Sequence, residues 1–215
     1  MIEKHVIWDW NGTLLDDFAI TARITIDALD DLGCPGVTEN DIRNHYRRPL
    51  PRYFDSLLGR IALSHELKHL GDSYVTRYEA AMHDLPLAAD AIDALETIAP
   101  FASQSLLSMA PHPQIALMIE HHRLGEHFSL IQGFTGTGHP SKRESLVAHC
   151  EALGVAADRC WMIGDTVDDF DAGNPLGIRT VLVTTGMQAR AALAATGAPV
   201  VDTLADASRL ILETR

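Results

Sequence analysis

The chain has 215 residues, 47 % hydrophobic and 21 % charged, which suits one moderate core with a small satellite and excludes a low-complexity or disordered polymer. Seventeen Lys and Arg against 29 Asp and Glu give a formal charge of −12, so nucleic acid and anionic membranes are not expected partners. Cys34, Cys150 and Cys160 form no C-x-x-C pair, so neither a disulfide framework nor a structural zinc cluster is expected and a reducing, cytoplasmic setting fits. The opening MIEKHVIWDW lacks a secretory apolar core, and no later apolar run reaches the length of a membrane span.

His5 to Trp10 is a short apolar and aromatic run broken by Asn11-Gly12-Thr13, the pattern of a buried strand ending in a tight loop, with Asp9 at the strand end. Phe18, Ala22, Ile26 and Leu29 give a helical stripe between Asp16 and Leu32, closed by Gly33 and Pro35. A polar, Arg-rich stretch from Asp41 to Pro51 precedes helical patterns over 53–68 and 72–83, with no strand between them. Leu85-Pro86 closes this insert, and 88–98 reads as an amphipathic helix ended by Pro100.

From there the pattern alternates. Strands are expected at 105–109, 130–133, 159–163, 179–183 and 200–201, and helices at 113–122, 142–153, 170–176, 188–195 and 204–212. Short apolar strands separated by helices predict an α/β protein with a Rossmann-like, mostly parallel sheet core and an inserted helical cap domain. Residues 1–15 and 86–215 would form the core and 16–85 the cap. Trp8, Trp161, Leu107 and Ile163 are expected inside the core, and Trp10 is expected to shape the loop under the cap.

Open parallel sheets bind ligands beyond the C-terminal ends of their strands, and Asp9, Ser108 and Asp165 each lie at or just past the end of an expected strand. Taken singly, each is an ordinary loop or capping residue. Asp165 and Asp169 in GDTVDD place two carboxylates at one strand end, which suits a hard divalent cation. Lys142 follows the glycine-rich GTGHPS stretch at a helix start, where it either faces solvent or neutralises a phosphoryl group. His45, Tyr46, Arg47, Arg48 and Arg52 form a local polar group; Arg47 or Arg48 would either recognise a second anionic group or lie at an exposed helix end.

DWNGT at residues 9–13, Ser108, Lys142 and GDTVDD at 164–169, in that order, resemble the haloacid dehalogenase-like superfamily, particularly its small helical-cap phosphatases similar to phosphoglycolate phosphatase. The resemblance implies Mg²⁺-dependent hydrolysis of a small phosphorylated metabolite, phosphoglycolate or a similar monoester, by a monomer or homodimer. It implies that Asp9 attacks phosphorus to give an aspartyl-phosphate, while Ser108 and Lys142 bind phosphoryl oxygens. Asp9, Asp165 and the backbone carbonyl of Asn11 would ligate Mg²⁺, with Asp169 supporting the metal directly or through water. Thr13 in the same loop, with Arg47 and Arg48 from the cap, completes the set of candidate substrate contacts.

One position departs from the family pattern. A second aspartate, two residues after the nucleophile, usually protonates the leaving oxygen and later activates water, and here that residue is Asn11. An amide orients a substrate or water but performs no carboxylic acid–base chemistry. Three readings follow: a phosphatase that is slow, depends on a good leaving group or uses another acid–base such as His45; a phosphotransferase; or a non-catalytic phosphate-ligand-binding or regulatory protein. The phosphatase reading is favoured because the nucleophile, both metal-associated aspartates, Ser108 and Lys142 are all present. In productive geometry, Asn11→Asp is then expected to raise turnover. No G-x-x-x-x-G-K-[ST] loop occurs, which excludes a P-loop kinase. His112, His121 and His122 accompany Ile115, Leu117, Met118 and Ile119 on a covering helix, so no separate zinc site is expected there.

Overall fold

A computed structural model describes residues 4–136 and 141–214. Residues 137–140, within the GTGHPS stretch before Lys142, lie outside the described residues. Six strands are β1 Lys4–Trp8, β2 Ala102–Pro111, β3 Ile131–Phe134, β4 Cys160–Gly164, β5 Arg179–Val183 and β6 Val200–Val201. They form one sheet in the order β3-β2-β1-β4-β5-β6, every adjacent pair parallel. The order reverses beside β1, so the crevice beyond its C-terminal end is where this topology receives ligands.

The helical insert between β1 and β2 begins with α1 Phe18–Asp31, α2 Glu39–His45, α3 Leu50–Leu58 and α4 Ser64–Ala81. Phe18, Ala22, Leu29, Ile42, Tyr53 and Leu70 give it a hydrophobic cluster of its own. The helix expected over 53–68 and a second one from 72 are not what forms. Gly59, in the left-handed conformation at φ 66°, ends α3. Glu66 then accepts the Leu63 N–H at 2.7 Å and forms a fork with Arg60 at 2.6 and 2.8 Å, which starts α4 at Ser64 and carries it without a break past residue 72.

After the insert come α5 Ala91–Ile98, α6 His112–His121, α7 Lys142–Leu153, α8 Val167–Gly173, α9 Arg190–Ala194 and α10 Leu204–Glu213. Strand alternation sorts the core into two layers. Val6, Trp8, Trp161, Ile163, Val181 and Val183 face α5, α6 and α10, while Ile7, Leu107 and Met162 face α7 and α8. Trp8, Leu107, Trp161 and Ile163 are all buried, as expected.

Three boundaries shift for reasons that bear on the site. β1 ends at Trp8 rather than Trp10, because the Trp10 carbonyl accepts the Thr13 and Leu15 N–H groups at 3.2 and 2.9 Å and turns the chain. β2 runs to Pro111, well past 109, so Ser108 lies inside a strand; its pairing with β3 shifts register between Leu107 and Pro111. α8 starts at Val167 rather than 170, since the Asp169 carboxylate accepts the Thr166 N–H and hydroxyl at its N-terminus. Among the described residues, no helix is long and apolar enough to cross a membrane.

Candidate active site

Asp9 leaves β1 with its N–H bonded to the Ile163 carbonyl of β4 at 2.9 Å, which fixes the residue between the two central strands. Lys142, the first residue of α7, places Nζ 2.6 Å from Asp9 Oδ1 and also pairs with Asp169 Oδ1. The other Asp169 oxygen caps α8, accepting the Thr166 N–H at 2.9 Å and its hydroxyl at 2.8 Å. Asp165, just past β4, accepts the Met187 N–H at 2.6 Å.

Two glycines make room for Asp165. A Cβ on Gly12, which also holds φ at 69°, would lie 2.5 Å from Asp165 Oδ2, and a Cβ on Gly186 would overlap the same carboxyl group. The side chain is thus wedged between the loop after β1 and the loop after β5, with the Thr185 hydroxyl donating to the Gly12 carbonyl at 2.8 Å beside it.

Asp9, Asp165, Asp169 and Lys142 are each between 0 and 6 % exposed, so three carboxylates share one ammonium away from water. Burial pushes the Asp9 carboxyl up to about 7; Lys142 pulls against that shift and Asp169 adds to it. Burial, followed by Asp9 and Asp169, holds Asp165 well above the usual carboxylate range. Burial would lower Lys142, but Asp169 and Asp9 outweigh it and keep the ammonium protonated. Carboxyl groups whose ionisation is resisted by burial and by one another fit a divalent cation such as Mg²⁺, whose charge would favour their ionised, hard-oxygen form. Among the described residues, however, no three His, Cys, Asp or Glu side chains form a ready cage for a metal. Asp169 in particular is engaged with Lys142 and Thr166.

Asn11 is tied to residues that sequence reasoning did not single out. Its Nδ2 donates to Asp17 Oδ2 at 2.7 Å and to the Tyr78 hydroxyl at 2.6 Å, and Tyr78 donates in turn to Asp17 Oδ2 at 2.7 Å. The Gly12 N–H takes the remaining Asp17 oxygen at 2.7 Å. Burial raises the Asp17 carboxyl while these donors act to lower it. Asp17 had the weak signal of a second aspartate after the loop; Tyr78 had none, since it arrives from α4.

The other candidates are spread more widely. The buried Ser108 Oγ accepts the Ala110 N–H at 3.1 Å. Thr13 is fully buried, and its hydroxyl has no hydrogen-bond partner among the described residues. Arg48 Nε lies 3.8 Å from Asp168 Oδ2, and its charge is favoured by Tyr46, Asp168 and Asp9 against the effect of burial. Arg47 instead bonds the His45 carbonyl at 3.2 Å on the exposed side. His45 occupies the last turn of α2, and Trp10 is buried with its ring 6.1 Å from that of His122.

Arg43 and Gln188 were also silent in the sequence. Arg43 stacks over Phe18 at 3.5 Å and donates to the Thr184 and Gly186 carbonyls. Gln188 joins the Tyr46 carbonyl, at 2.8 Å, to the Val167 N–H, at 2.5 Å. Segment 43–48 of the insert is therefore fastened to the loop that confines Asp165. Two open grooves of about 790 and 390 Å³, one along α6 and one beside Cys150, include none of these residues.

Residues 137–207 match the family model described as HAD-hydrolase-like. Haloacid dehalogenase-like family protein SP0104 from Streptococcus pneumoniae superposes with a TM-score of 0.82 at 19 % identity, covering 98 % of this chain and all of that one. The chain shares its fold with haloacid dehalogenase-like hydrolases and is similar to them in residues 137–207. It is similar to phosphoglycolate phosphatase of Vibrio parahaemolyticus, 26 % identical over 200 residues that cover 85 % of this chain and 84 % of that protein. It is also 29 % identical over 187 residues to tyrosine-protein kinase PtkA of Mycobacterium tuberculosis, an alignment that covers 83 % of this chain and 61 % of PtkA. The chain thus spans about six-tenths of the length of that relative.

Proposed function

We propose that the protein is a Mg²⁺-dependent phosphatase acting on a small phosphate monoester, with Asp9 as the nucleophile, residues 1–15 and 86–215 as the catalytic core and 16–85 as a cap. The observation that carries this reading is the 2.6 Å contact between Lys142 and Asp9 at the sheet's ligand-binding edge, with Asp165 buried alongside. Asp9, Asp165 and the backbone carbonyl oxygen of Asn11 would hold the metal, which when bound supplies positive charge for the phosphoryl oxygens.

An Asp9 oxygen attacks phosphorus as the bond to the leaving oxygen breaks, giving an aspartyl-phosphate and the departing alcohol or its anion. Water then attacks phosphorus, the Asp9 carboxylate departs, and inorganic phosphate is released. Lys142 holds Asp9 in place and stabilises charge on the transferring group, assisted by Ser108. Asp169 acts on Lys142, keeping its ammonium charged and aimed at Asp9. Arg48, with Thr13, is assigned to the substrate; Arg47, on the exposed side, is the weaker candidate of the two arginines.

A second reading is transfer of the phosphoryl group to an acceptor hydroxyl. Asn11 is compatible with it, because an amide deprotonates neither water nor an acceptor hydroxyl and only orients whichever of the two enters. The name of the mycobacterial relative, a tyrosine-protein kinase, points the same way. The deciding experiment measures phosphate release from a panel of monoesters that includes phosphoglycolate, with and without Mg²⁺, beside an Asp9→Asn control. Release that needs both Mg²⁺ and Asp9 supports the phosphatase. Label appearing on an added hydroxyl acceptor in place of free phosphate supports the transferase.

A further inference from the structure

Resting on the reading of Asp9 as nucleophile, we propose that Asp17 and Tyr78 are positioning residues for Asn11, and that the Tyr78 hydroxyl makes the arrangement of the nucleophile loop depend on the seating of α4.

An amide side chain has two N–H donors and one carbonyl acceptor. The Asn11 donors are used at 2.7 Å on Asp17 and 2.6 Å on Tyr78, while among the described residues no donor bonds its Oδ1. Turning the amide over would set Oδ1 against the Asp17 carboxylate, acceptor against acceptor, so the observed orientation is the one that satisfies both groups. The orientation leaves the carbonyl oxygen of a half-buried side chain free, two residues from Asp9.

Asp17 is itself anchored twice. One oxygen takes the Gly12 N–H at 2.7 Å, and the other takes Asn11 and the Tyr78 hydroxyl, each at 2.7 Å. These bonds to a buried carboxylate are charge-assisted and hold Asn11 and Gly12 from one side. Gly12 is also the residue packed against Asp165, so the anchor reaches the aspartate at the end of β4.

Tyr78 is the part of this cluster that does not belong to the loop. It lies 67 residues along the chain from Asn11, in the last turns of α4, with its ring stacked on Tyr74 at 5.1 Å. With α4 seated, Asn11 is held by two partners and its carbonyl oxygen can orient a water or hydroxyl. With α4 displaced, it keeps only Asp17 and the amide regains freedom about its terminal torsion. The loop beside the nucleophile is thereby fully ordered only under the seated helix.

The test is a double-mutant cycle in the full chain, with p-nitrophenyl phosphate and Mg²⁺ as the probe. Tyr78→Phe keeps the ring stack and removes the hydroxyl; it is expected to lower kcat about tenfold with KM changed less than about twofold. In an Asn11→Ala background the same substitution should have no further effect, because its action passes through the missing amide. Losses that multiply independently, or a change in KM alone, overturn the proposal.

A second readout needs no turnover. The Asn11 side-chain amide, identified by its absence from the Asn11→Ala spectrum, should show two well-separated ¹⁵N-coupled signals that shift and exchange faster in Tyr78→Phe. Unmoved signals overturn the proposal even if no monoester is hydrolysed, an outcome that would by itself count against the phosphatase reading. If Tyr78→Phe does not fold, Asp17→Asn provides the same cycle and spectrum from the other partner.

Discussion

Lys142 Nζ stands 2.6 Å from Asp9 Oδ1 and pairs on its other side with Asp169, so one buried ammonium joins the loop after β1 to the first turn of α8. Removing it leaves three buried carboxylates without their cation. Lys142→Met is expected to lower stability at pH 7 by about 3–5 kcal/mol, the range for breaking a buried pair, and to abolish phosphate release. Denaturant unfolding of the two proteins checks this; equal midpoints would mean that Lys142 does not neutralise the cluster.

Gly186 is a packing requirement of Asp165. A methyl group there overlaps the carboxyl group, whose second glycine neighbour is Gly12. Gly186→Ala is expected to displace Asp165 by an amount on the order of 1 Å and to cut Mg²⁺-dependent turnover by about 100-fold. The rise in melting temperature on adding Mg²⁺ should shrink in parallel. A variant with wild-type turnover and an undiminished Mg²⁺ response would remove Asp165 from the metal site.

Asn11→Asp, which the family pattern alone expects to raise turnover, meets a different environment in the fold. The new carboxylate would face Asp17 across the position now bridged by a 2.7 Å hydrogen bond. We expect a loss of about 1–3 kcal/mol at pH 7, the cost of an unsatisfied buried polar group, and no gain in kcat. The exchanged pair, Asn11→Asp with Asp17→Asn, restores one amide opposite one carboxylate and should recover most of the stability. Urea midpoints of the single and double variants decide; a single variant as stable as the wild type contradicts the argument.

The face of the sheet covered by α7 carries a buried polar chain whose response to pH is readable. Ser105 Oγ lies 2.8 Å from both His5 Nε2 and His149 Nε2, while His5 reaches Ser103 and His149 reaches Gln132. Burial pushes His5 from 6.5 down to about 4, and burial together with His5 does the same to His149. Above pH 6.5 both rings are neutral in folded and unfolded chains and the pair has no pH effect. As pH falls from 6.5 to about 4, the unfolded chain binds protons that the folded one refuses, so stability falls. At pH 5 the loss is about 2 kcal/mol per histidine. Unfolding free energies at pH 7 and pH 5 should differ less in His149→Gln than in the wild type; an equal difference would mean that His149 contributes nothing to the slope.

Local pattern carried the fold a long way because it encodes which face of each element is buried. The strand–helix alternation, the parallel core and the positions of Asp9, Asp165 and Lys142 at element ends all follow from runs of a few residues. Strand and helix ends were less legible where side chains supply the backbone partner. Glu66 starting α4 and Asp169 starting α8 are capping choices that compete with equally plausible positions nearby.

What the sequence determined by itself was the order of the candidate residues along the elements. An aspartate after the first strand, a lysine at a helix start and an acidic pair after the fourth strand are fixed by order and spacing. The tertiary structure decided which charges meet. Lys142 reaches Asp9 across 133 residues, Gly186 closes on Asp165 from the loop after β5, and Tyr78 descends from the insert onto Asn11 and Asp17. Periodicity records burial along one element, whereas a contact between distant elements depends on the packing of everything between them. The environment of Asn11, the residue that departs from the pattern the sequence resembles, is therefore set by helix α4 together with Asp17.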